Sequence, residues 1–128
     1  MAKNYTILAI DDDPTILKVL KRFIELECGY SVTTTSSLQE ALDFVKNNHV
    51  DIILSDYHMG TFTGFDFFRE LDKLGNKTVR ILITGTPDNA LNAQVIPHLN
   101  IFKIIFKPWD NDEFKRILQS ALGEPFSV

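Results

Sequence analysis

The sequence predicts an α/β fold in which five parallel strands alternate with helices that cover both faces of one sheet. Short apolar runs recur along the chain, and several are continuous, as is typical of strands buried on both sides. Segments with helical periodicity separate these runs, and the connections are short. With 128 residues, of which 45% are hydrophobic, the chain is long enough for one domain with its own core.

The five apolar runs are the predicted strands. They are Thr6 to Ile10, Tyr30 to Thr34, Ile52 to Ser55, Arg80 to Thr84 and Ile101 to Phe106. Because a helix separates each strand from the next, right-handed crossovers are expected, and the sheet should be parallel throughout.

Five segments with helical spacing are the predicted helices. They are Pro14 to Glu27, Leu38 to Asn47, Phe65 to Leu74, Asn89 to Ile96 and Asn111 to Leu122. Asp13, Ser37 and Asp110 stand where N-cap residues are expected, and a glutamate three positions after Ser37 and Asp110 fits the capping box. Residues 1–122 are therefore assigned to one domain, and residues 123–128 to a tail or the start of a linker to an output domain.

Charge and composition exclude several classes of function. The net charge is −4 and the chain has no run of Lys or Arg, so direct binding to nucleic acid or to an anionic membrane is not expected. We find neither a long apolar stretch nor a signal segment, which favours a cytoplasmic location. Cys28 is the only cysteine, so an internal disulfide is excluded.

Polar side chains follow the predicted strands at the edge where parallel strands end together. Asp11 and Asp12 follow the first strand, Asp56 the third, Thr84 the fourth and Lys107 the fifth. Two carboxylates 4 Å apart repel each other by about 4 kcal/mol at an effective dielectric constant near 20, so a divalent cation is expected among them. Magnesium suits such oxygen ligands. An aspartate there can act as a nucleophile toward phosphorus, while a lysine and a hydroxyl hold phosphoryl oxygens.

Four motifs carry a resemblance to a known family. They are Ile7-Leu8-Ala9-Ile10-Asp11-Asp12-Asp13-Pro14, Ile53-Leu54-Ser55-Asp56-Tyr57-His58-Met59, Ile83-Thr84-Gly85 and Phe106-Lys107-Pro108-Trp109. In their order and spacing, the chain resembles the receiver domains of two-component response regulators, including chemotaxis regulators, from Thr6 to Leu122. The resemblance implies a (βα)5 flavodoxin-like fold with strand order 2-1-3-4-5.

The resemblance also implies a role for each site residue. Asp56 would be the phosphoacceptor, assisted by Thr84 and Lys107. Asp11, Asp12, Asp56 and the backbone carbonyl of His58 would hold Mg²⁺, for which Mn²⁺ can substitute. The peptide bond between Lys107 and Pro108 is expected to be cis.

Signalling in the family couples the Ser/Thr position, here Thr84, to an aromatic residue on the fifth strand. Ile104 stands at that aromatic position, so the coupling is either weak or carried by another residue, such as Phe102 or Phe106.

Further positions bear on the acyl phosphate and its loop. By the resemblance, His58 and Thr86 occupy the variable positions that in the family tune the lifetime of the acyl phosphate. Gly60, where proline is usual, and Thr63 also depart from the family pattern and could loosen the loop after the third strand.

The resemblance implies a signalling role rather than a conventional enzyme, since such a domain catalyses only its own phosphorylation and dephosphorylation. The phosphoryl donor would be a sensor histidine kinase or a phosphotransfer protein. The output would be a C-terminal domain or a downstream protein, reached through a surface of the fourth helix, fifth strand and fifth helix, which can also form a dimer.

Two other functions stay open at this point. Asp11-Asp12-Asp13-Pro14-Thr15 also fits the motif of haloacid-dehalogenase-like phosphatases, with Asp11 as nucleophile and Asp13 as acid/base. The chain lacks a cap domain and the later acidic pair of that family, which would also leave Asp56 unexplained. The second alternative is a pseudo-receiver, an interaction module that keeps the fold but does not switch.

Overall fold

A computed structural model describes residues 4–85 and 99–123 of the chain. Its main sheet has five strands in the spatial order β2-β1-β3-β4-β5, and every neighbouring pair is parallel. The strands are β1 (Thr6–Ile10), β2 (Ser31–Thr35), β3 (Ile52–Asp56), β4 (Val79–Thr84) and β5 (Ile101–Phe106). The predicted fold class and strand order are thus confirmed, with strand boundaries within about one residue of those predicted.

Four α-helices accompany these strands in the described part of the chain. They are α1 (Pro14–Phe23), α2 (Leu38–Asn47), α3 (Gly64–Lys73) and a last helix (Asn111–Ala121). The side chains of Asp13, Ser37 and Asp110 accept backbone N–H groups at three helix starts, as predicted. The predicted helix from Asn89 to Ile96 lies outside the described residues.

The first helix differs from its prediction near its end. Residues Ile24–Cys28 continue it as a π-helical segment, in which each turn is wider than in an α-helix. Gly29 then ends the segment with a φ of 77°, a left-handed conformation that glycine adopts without steric cost. A pattern of apolar spacing does not distinguish these two helix types, so the sequence did not predict the change.

The sheet separates two hydrophobic cores, because successive strand residues point to opposite faces. On one face, Leu8, Ile53 and Leu82 pack with residues of α2 and α3. The other face buries residues of α1 and the last helix, including Leu20 and Phe114. Helices therefore cover both faces, which explains why β1 and β3 are continuous apolar runs.

The loop after β3 is tied down on both sides. His58–Met59 pairs antiparallel with Phe62–Thr63, and Gly60 makes the turn with a φ of 73°. Thr63 then caps α3 through reciprocal bonds with Asp66. The departures at Gly60 and Thr63 therefore accompany an ordered hairpin and a capped helix rather than a loosened loop.

A buried arginine holds the amino edge of the sheet. The side chain of Arg80 is fully buried, and its Nη1 donates to Asp72 Oδ1 and to the Leu99 carbonyl, both at 2.7 Å. Its Nη2 donates to the Asn76 carbonyl at 2.6 Å. These bonds join the end of α3 to the turn before β5, so this edge of the sheet is fixed by a buried cation and its partners.

The pairing of β4 with β5 is irregular immediately after Arg80. Arg80 pairs with Ile101 but Ile81 pairs with Lys103, so β5 carries one extra residue there. Ile101 and Ile104 consequently contact the same core although they are three residues apart. The extra residue also brings Phe106 opposite Thr84.

None of the helices within residues 4–85 and 99–123 is long and apolar enough to span a bilayer.

We predict that Gly64→Ala destabilises the protein by about 1–3 kcal/mol through overpacking. A Cβ atom at this position would lie 2.7 Å from the Asp56 carbonyl oxygen and 2.6 Å from Leu82 Cδ1. Gly85→Ala is the matched control, since its Cβ would meet nothing closer than Lys107 Cδ at 3.9 Å. Urea unfolding of both variants measures the difference, and equal stabilities would contradict the steric argument.

Candidate functional site

The carboxyl ends of three strands bring the predicted residues together. Asp11 follows β1, Asp56 is the last residue of β3, and Lys107 follows β5. Asp56 is 51 positions from Lys107 in sequence, yet their side chains are in contact. The parallel order of the sheet creates this proximity, because β3 and β5 lie on either side of β4 and all strands end at the same edge.

Three carboxylates form the centre of the site. Asp11, Asp12 and Asp56 each offer an oxygen, and these oxygens all lie within 4.8 Å of one another. Asp11 is 2% and Asp56 9% exposed, whereas Asp12 is exposed to solvent. Three oxygens at this spacing, two of them buried, are a donor set that suits a hard divalent cation such as Mg²⁺.

Among the residues that the structure describes, Lys107 brings a positive charge into contact with this cluster. Its Nζ lies 3.2 Å from Asp56 Oδ1 and 3.4 Å from Asp11 Oδ2. Burial lowers the pKa of Lys107, but the nearby carboxylates of Asp11 and Asp56 outweigh this effect and raise it above its usual value. The amine therefore stays protonated and partly offsets the repulsion within the cluster.

The buried carboxyl of Asp11 carries the electrostatic strain of the site. Burial, with a smaller contribution from the charge of Asp56, raises the pKa of Asp11 to about 6 against the lowering effects of the Asp13 N–H and Lys107. The Asp13 N–H donates to Asp11 Oδ1 at 2.9 Å. One lysine thus does not fully compensate the buried negative charges.

Two residues that the sequence analysis did not assign to the site fix the backbone of Asp56. The hydroxyl of Ser55, fully buried, donates to the Asp56 carbonyl at 2.9 Å. Gly64 lies against the same carbonyl, where a larger residue would collide. The only sequence signals were a serine in an otherwise apolar strand and a glycine at the start of a helix.

Thr84 lies at the same edge, at the end of β4. Its side chain is buried, and its carbonyl accepts the Lys107 N–H at 2.8 Å. In the sheet register Asp56 pairs with Ile83, so Thr84 follows the partner of Asp56 by one residue. Phe106 pairs with Thr84 from the other side and is 51% exposed.

The remaining predicted residues surround this centre. His58 is exposed, and its ring contacts that of Tyr57 edge-on at a centroid distance of 4.6 Å. Ile104 is half-buried against the core beneath α3, and the peptide bond between Lys107 and Pro108 is cis, as expected. Thr86 lies outside the described residues.

Comparison with known proteins agrees with this geometry. The family model "response regulator receiver domain" matches residues 7–119. The chain is 44% identical over 118 residues to the rice (Oryza sativa subsp. indica) two-component response regulator ORR24, covering 91% of this chain and 18% of that protein. It is 30% identical to the Escherichia coli K12 transcriptional regulatory protein GlrR, covering 92% of this chain and 26% of that protein.

Solved structures show the same relationship. The signal receiver domain of an HD domain-containing protein from Pseudomonas fluorescens Pf-5 superposes with a TM-score of 0.84 at 29% identity, covering 94% of this chain and 96% of that one. The present chain spans about a fifth to a quarter of the curated relatives described above. From the site geometry and these matches together, we conclude that the chain belongs to the response regulator receiver domain family of two-component signalling systems.

Proposed function

We propose that the domain accepts a phosphoryl group on Asp56 in a magnesium-dependent reaction and so acts as a phosphorylation-controlled switch. The observation that carries this proposal is the contact of Lys107 with both Asp56 and Asp11 inside a cluster of three carboxylates. A nucleophilic carboxylate, a metal-binding oxygen set and a fixed cation are the parts that phosphoryl transfer requires.

In the proposed reaction, a carboxylate oxygen of Asp56 attacks phosphorus in line with the leaving group. A P–O bond to Asp56 forms while the P–N bond of a phosphohistidine, or the P–O bond of a small acyl phosphate, breaks. Lys107 exchanges its contact with Asp56 for one with a phosphoryl oxygen, and Thr84 donates its hydroxyl to another. Ser55 and Gly64 hold the Asp56 backbone in place during the transfer.

Asp11, Asp12, Asp56 and the carbonyl of His58 would hold Mg²⁺. The bound ion would neutralise charge that develops on the phosphoryl oxygens. Asp11 depends most on a cation because its carboxylate is buried and its pKa is raised to about 6. We propose that Mn²⁺ can replace Mg²⁺ in this oxygen site.

The geometry speaks against a phosphatase that uses Asp11 as nucleophile. One oxygen of Asp11 accepts the Asp13 N–H and the other contacts Lys107, so both are already engaged in a buried setting. Asp13, the acid/base of that alternative, accepts the Thr15 N–H as the cap of α1. A pseudo-receiver is less favoured because Lys107 already contacts Asp56, as the phosphorylation chemistry requires.

We further propose that a sensor histidine kinase or a phosphotransfer protein supplies the phosphoryl group. The output would be an attached domain or a separate protein. GlrR is named a transcriptional regulatory protein, and ORR24 a two-component response regulator. In this chain, β5 and the last helix would provide part of the surface that the output reads, and that surface can also support a dimer.

We propose that Phe106, rather than Ile104, carries the signal from Thr84 to the surface. Phe106 pairs directly with Thr84 across the β4–β5 register, whereas Ile104 pairs with Leu82. Phe106 is 51% exposed and lines a cleft of about 230 Å³ together with Ile104 and Trp109. A movement of Thr84 toward the phosphoryl group would therefore reach the Phe106 ring first.

The first prediction concerns the phosphorylated residue. After incubation with acetyl phosphate and Mg²⁺, the intact mass of the wild type should increase by one phosphoryl group, in an adduct that hydroxylamine removes. Asp56→Asn should show no adduct, because its amide is not a nucleophile for this transfer. An adduct that persists in Asp56→Asn but is lost in Asp11→Asn would support the phosphatase alternative instead.

The second prediction concerns charge and stability. The pKa of Asp11 in the folded protein, about 6, lies above its unfolded value, so the stability it contributes is complete below about pH 4 and lost as pH rises through 6. Without metal, Asp11→Asn should therefore raise the free energy of unfolding at pH 8 by about 1–3 kcal/mol. At pH 4 the two proteins should be nearly equal.

Magnesium should reverse this difference at pH 8, stabilising the wild type more than Asp11→Asn. Urea unfolding measures the free energy of unfolding of both proteins under four conditions, at each pH with EDTA and with Mg²⁺. An Asp11→Asn variant that is less stable than the wild type at pH 8 in EDTA would contradict the proposed electrostatic strain.

The third prediction tests the path to the surface with Trp109, the only tryptophan. Its ring packs edge-on against Phe114 at 5.2 Å and lines the same cleft as Phe106. Phosphorylation should change its fluorescence in the wild type, and Phe106→Leu should remove most of that change. Phe102→Leu is the matched control, because Phe102 is 46% exposed on the same strand but far from Thr84 in the register.

Both variants should still acquire the phosphoryl group, as judged by mass. If Phe102→Leu reduces the fluorescence change as much as Phe106→Leu does, Phe106 has no special role in coupling.

A further inference from the structure

Strand β2 lies at one edge of the sheet, with β1 as its neighbour. The Ser31 N–H donates to Tyr5, and the Thr35 carbonyl accepts the Asp11 N–H, so the backbone groups of these residues point toward β1 or its flanks. Because these directions alternate along a strand, the backbone N–H and C=O groups of Val32 and Thr34 point outward. Outward groups of this kind are a template on which another strand can pair.

The outward groups of Val32 are covered by two side chains of the first helix. Lys21 Nζ donates to the Val32 carbonyl at 2.8 Å, and the Val32 N–H donates to Glu25 Oε2 at 3.4 Å. Lys21 and Glu25 also contact each other at 3.2 Å. The ion pair thus makes the two hydrogen bonds that a neighbouring strand would otherwise make with this residue.

Stability alone is a weak reason for this arrangement. The side chains of Lys21 and Glu25 are 47% and 39% exposed, and exposed ion pairs of this type contribute little to folding. Glu25 lies in the π-helical segment after α1, where the backbone departs from a regular α-helix. Both members of the pair bond to the backbone of Val32, the second residue of the strand.

We propose that the Lys21–Glu25 pair blocks β2 as a strand-pairing surface, and that the partner it excludes is the β2 edge of a second copy of this chain. The edge is self-complementary, since an antiparallel pair centred on Thr33 would place Val32 of one copy opposite Thr34 of the other. The segment Ser31–Thr35 is rich in β-branched residues, which favour strand pairing. Such a pair has twofold symmetry and therefore closes as a dimer.

The test is the double substitution Lys21→Ala with Glu25→Ala, which removes both side chains and leaves the net charge unchanged. Sedimentation equilibrium of the unphosphorylated proteins across a concentration series should find the wild type at one chain mass and the double variant approaching two. A double variant that stays at one chain mass throughout would overturn the proposal, as would a wild type that already pairs through β2.

The matched control is Lys18→Ala with Glu27→Ala, which removes one positive and one negative exposed residue from the same helical region. It should remain at one chain mass. Dimerisation of this control to the same extent would show that loss of helix-surface charge, not exposure of β2, causes association.

A third substitution locates the interface. Thr34→Pro, added to the double variant, removes an outward N–H that a second strand would need, while proline is tolerated at a sheet edge. It should restore the single chain mass. If the triple variant still dimerises, the contact lies elsewhere and the proposed pairing of β2 with a second copy is overturned.

Hydrogen exchange tests the same idea under dilute conditions and does not depend on association. The Val32 amide should be protected in the wild type and exchange at least tenfold faster in the double variant, while core amides of β1 and β3 stay protected in both. If β1 and β3 also lose protection in the double variant, that variant is generally unfolded and the wild type alone decides. An unprotected Val32 amide in the wild type overturns the proposal.

These measurements do not involve Asp56, so their outcome is separate from that of the proposed phosphorylation.

Discussion

The crowding of carboxylates at the carboxyl edge of the sheet is the constraint on which the rest of the site depends. Asp11 and Asp56 are buried, Asp12 is exposed beside them, and their oxygens lie within 4.8 Å of one another. Lys107 contacts two of the three, yet the pKa of Asp11 remains raised to about 6. A site with this residual negative charge is suited to take up a divalent cation, and the charge costs stability while no cation is bound.

Such strain persists only if the surrounding structure is rigid enough to hold it. The backbone of Asp56 is held by the Ser55 hydroxyl and by the close approach of Gly64. At the opposite edge of the sheet, the buried guanidinium of Arg80 joins α3 to the turn before β5. The two edges are connected by the strands themselves, so the position of Lys107 depends on how β5 is set against β4.

The two outermost strands of the sheet, β2 and β5, differ in what they expose. On β5 the extra residue near Ile101 places Phe106 opposite Thr84, with its ring about half exposed next to the Trp109 cleft. On β2 the Lys21–Glu25 pair covers the outward groups of Val32. The proposed readout of the site and the proposed protection from self-association therefore lie at opposite edges, which allows one to change without opening the other.

The sequence by itself determined the α/β class, the strand order through its resemblance to receiver domains, three helix caps and the residues that meet at the carboxyl edge. These features depend on local periodicity, cap chemistry and motif order, all of which are written along the chain. Only the tertiary structure decided that Arg80 is buried, that Gly64 touches the Asp56 carbonyl, that α1 ends in a π-helical segment, and that Phe106 rather than Ile104 pairs with Thr84. The Arg80 and Gly64 contacts join residues that are not neighbours in sequence, and the Phe106 pairing depends on a one-residue register shift. A change of helix type leaves the apolar spacing unaltered, so none of the four leaves a periodic signal in the chain.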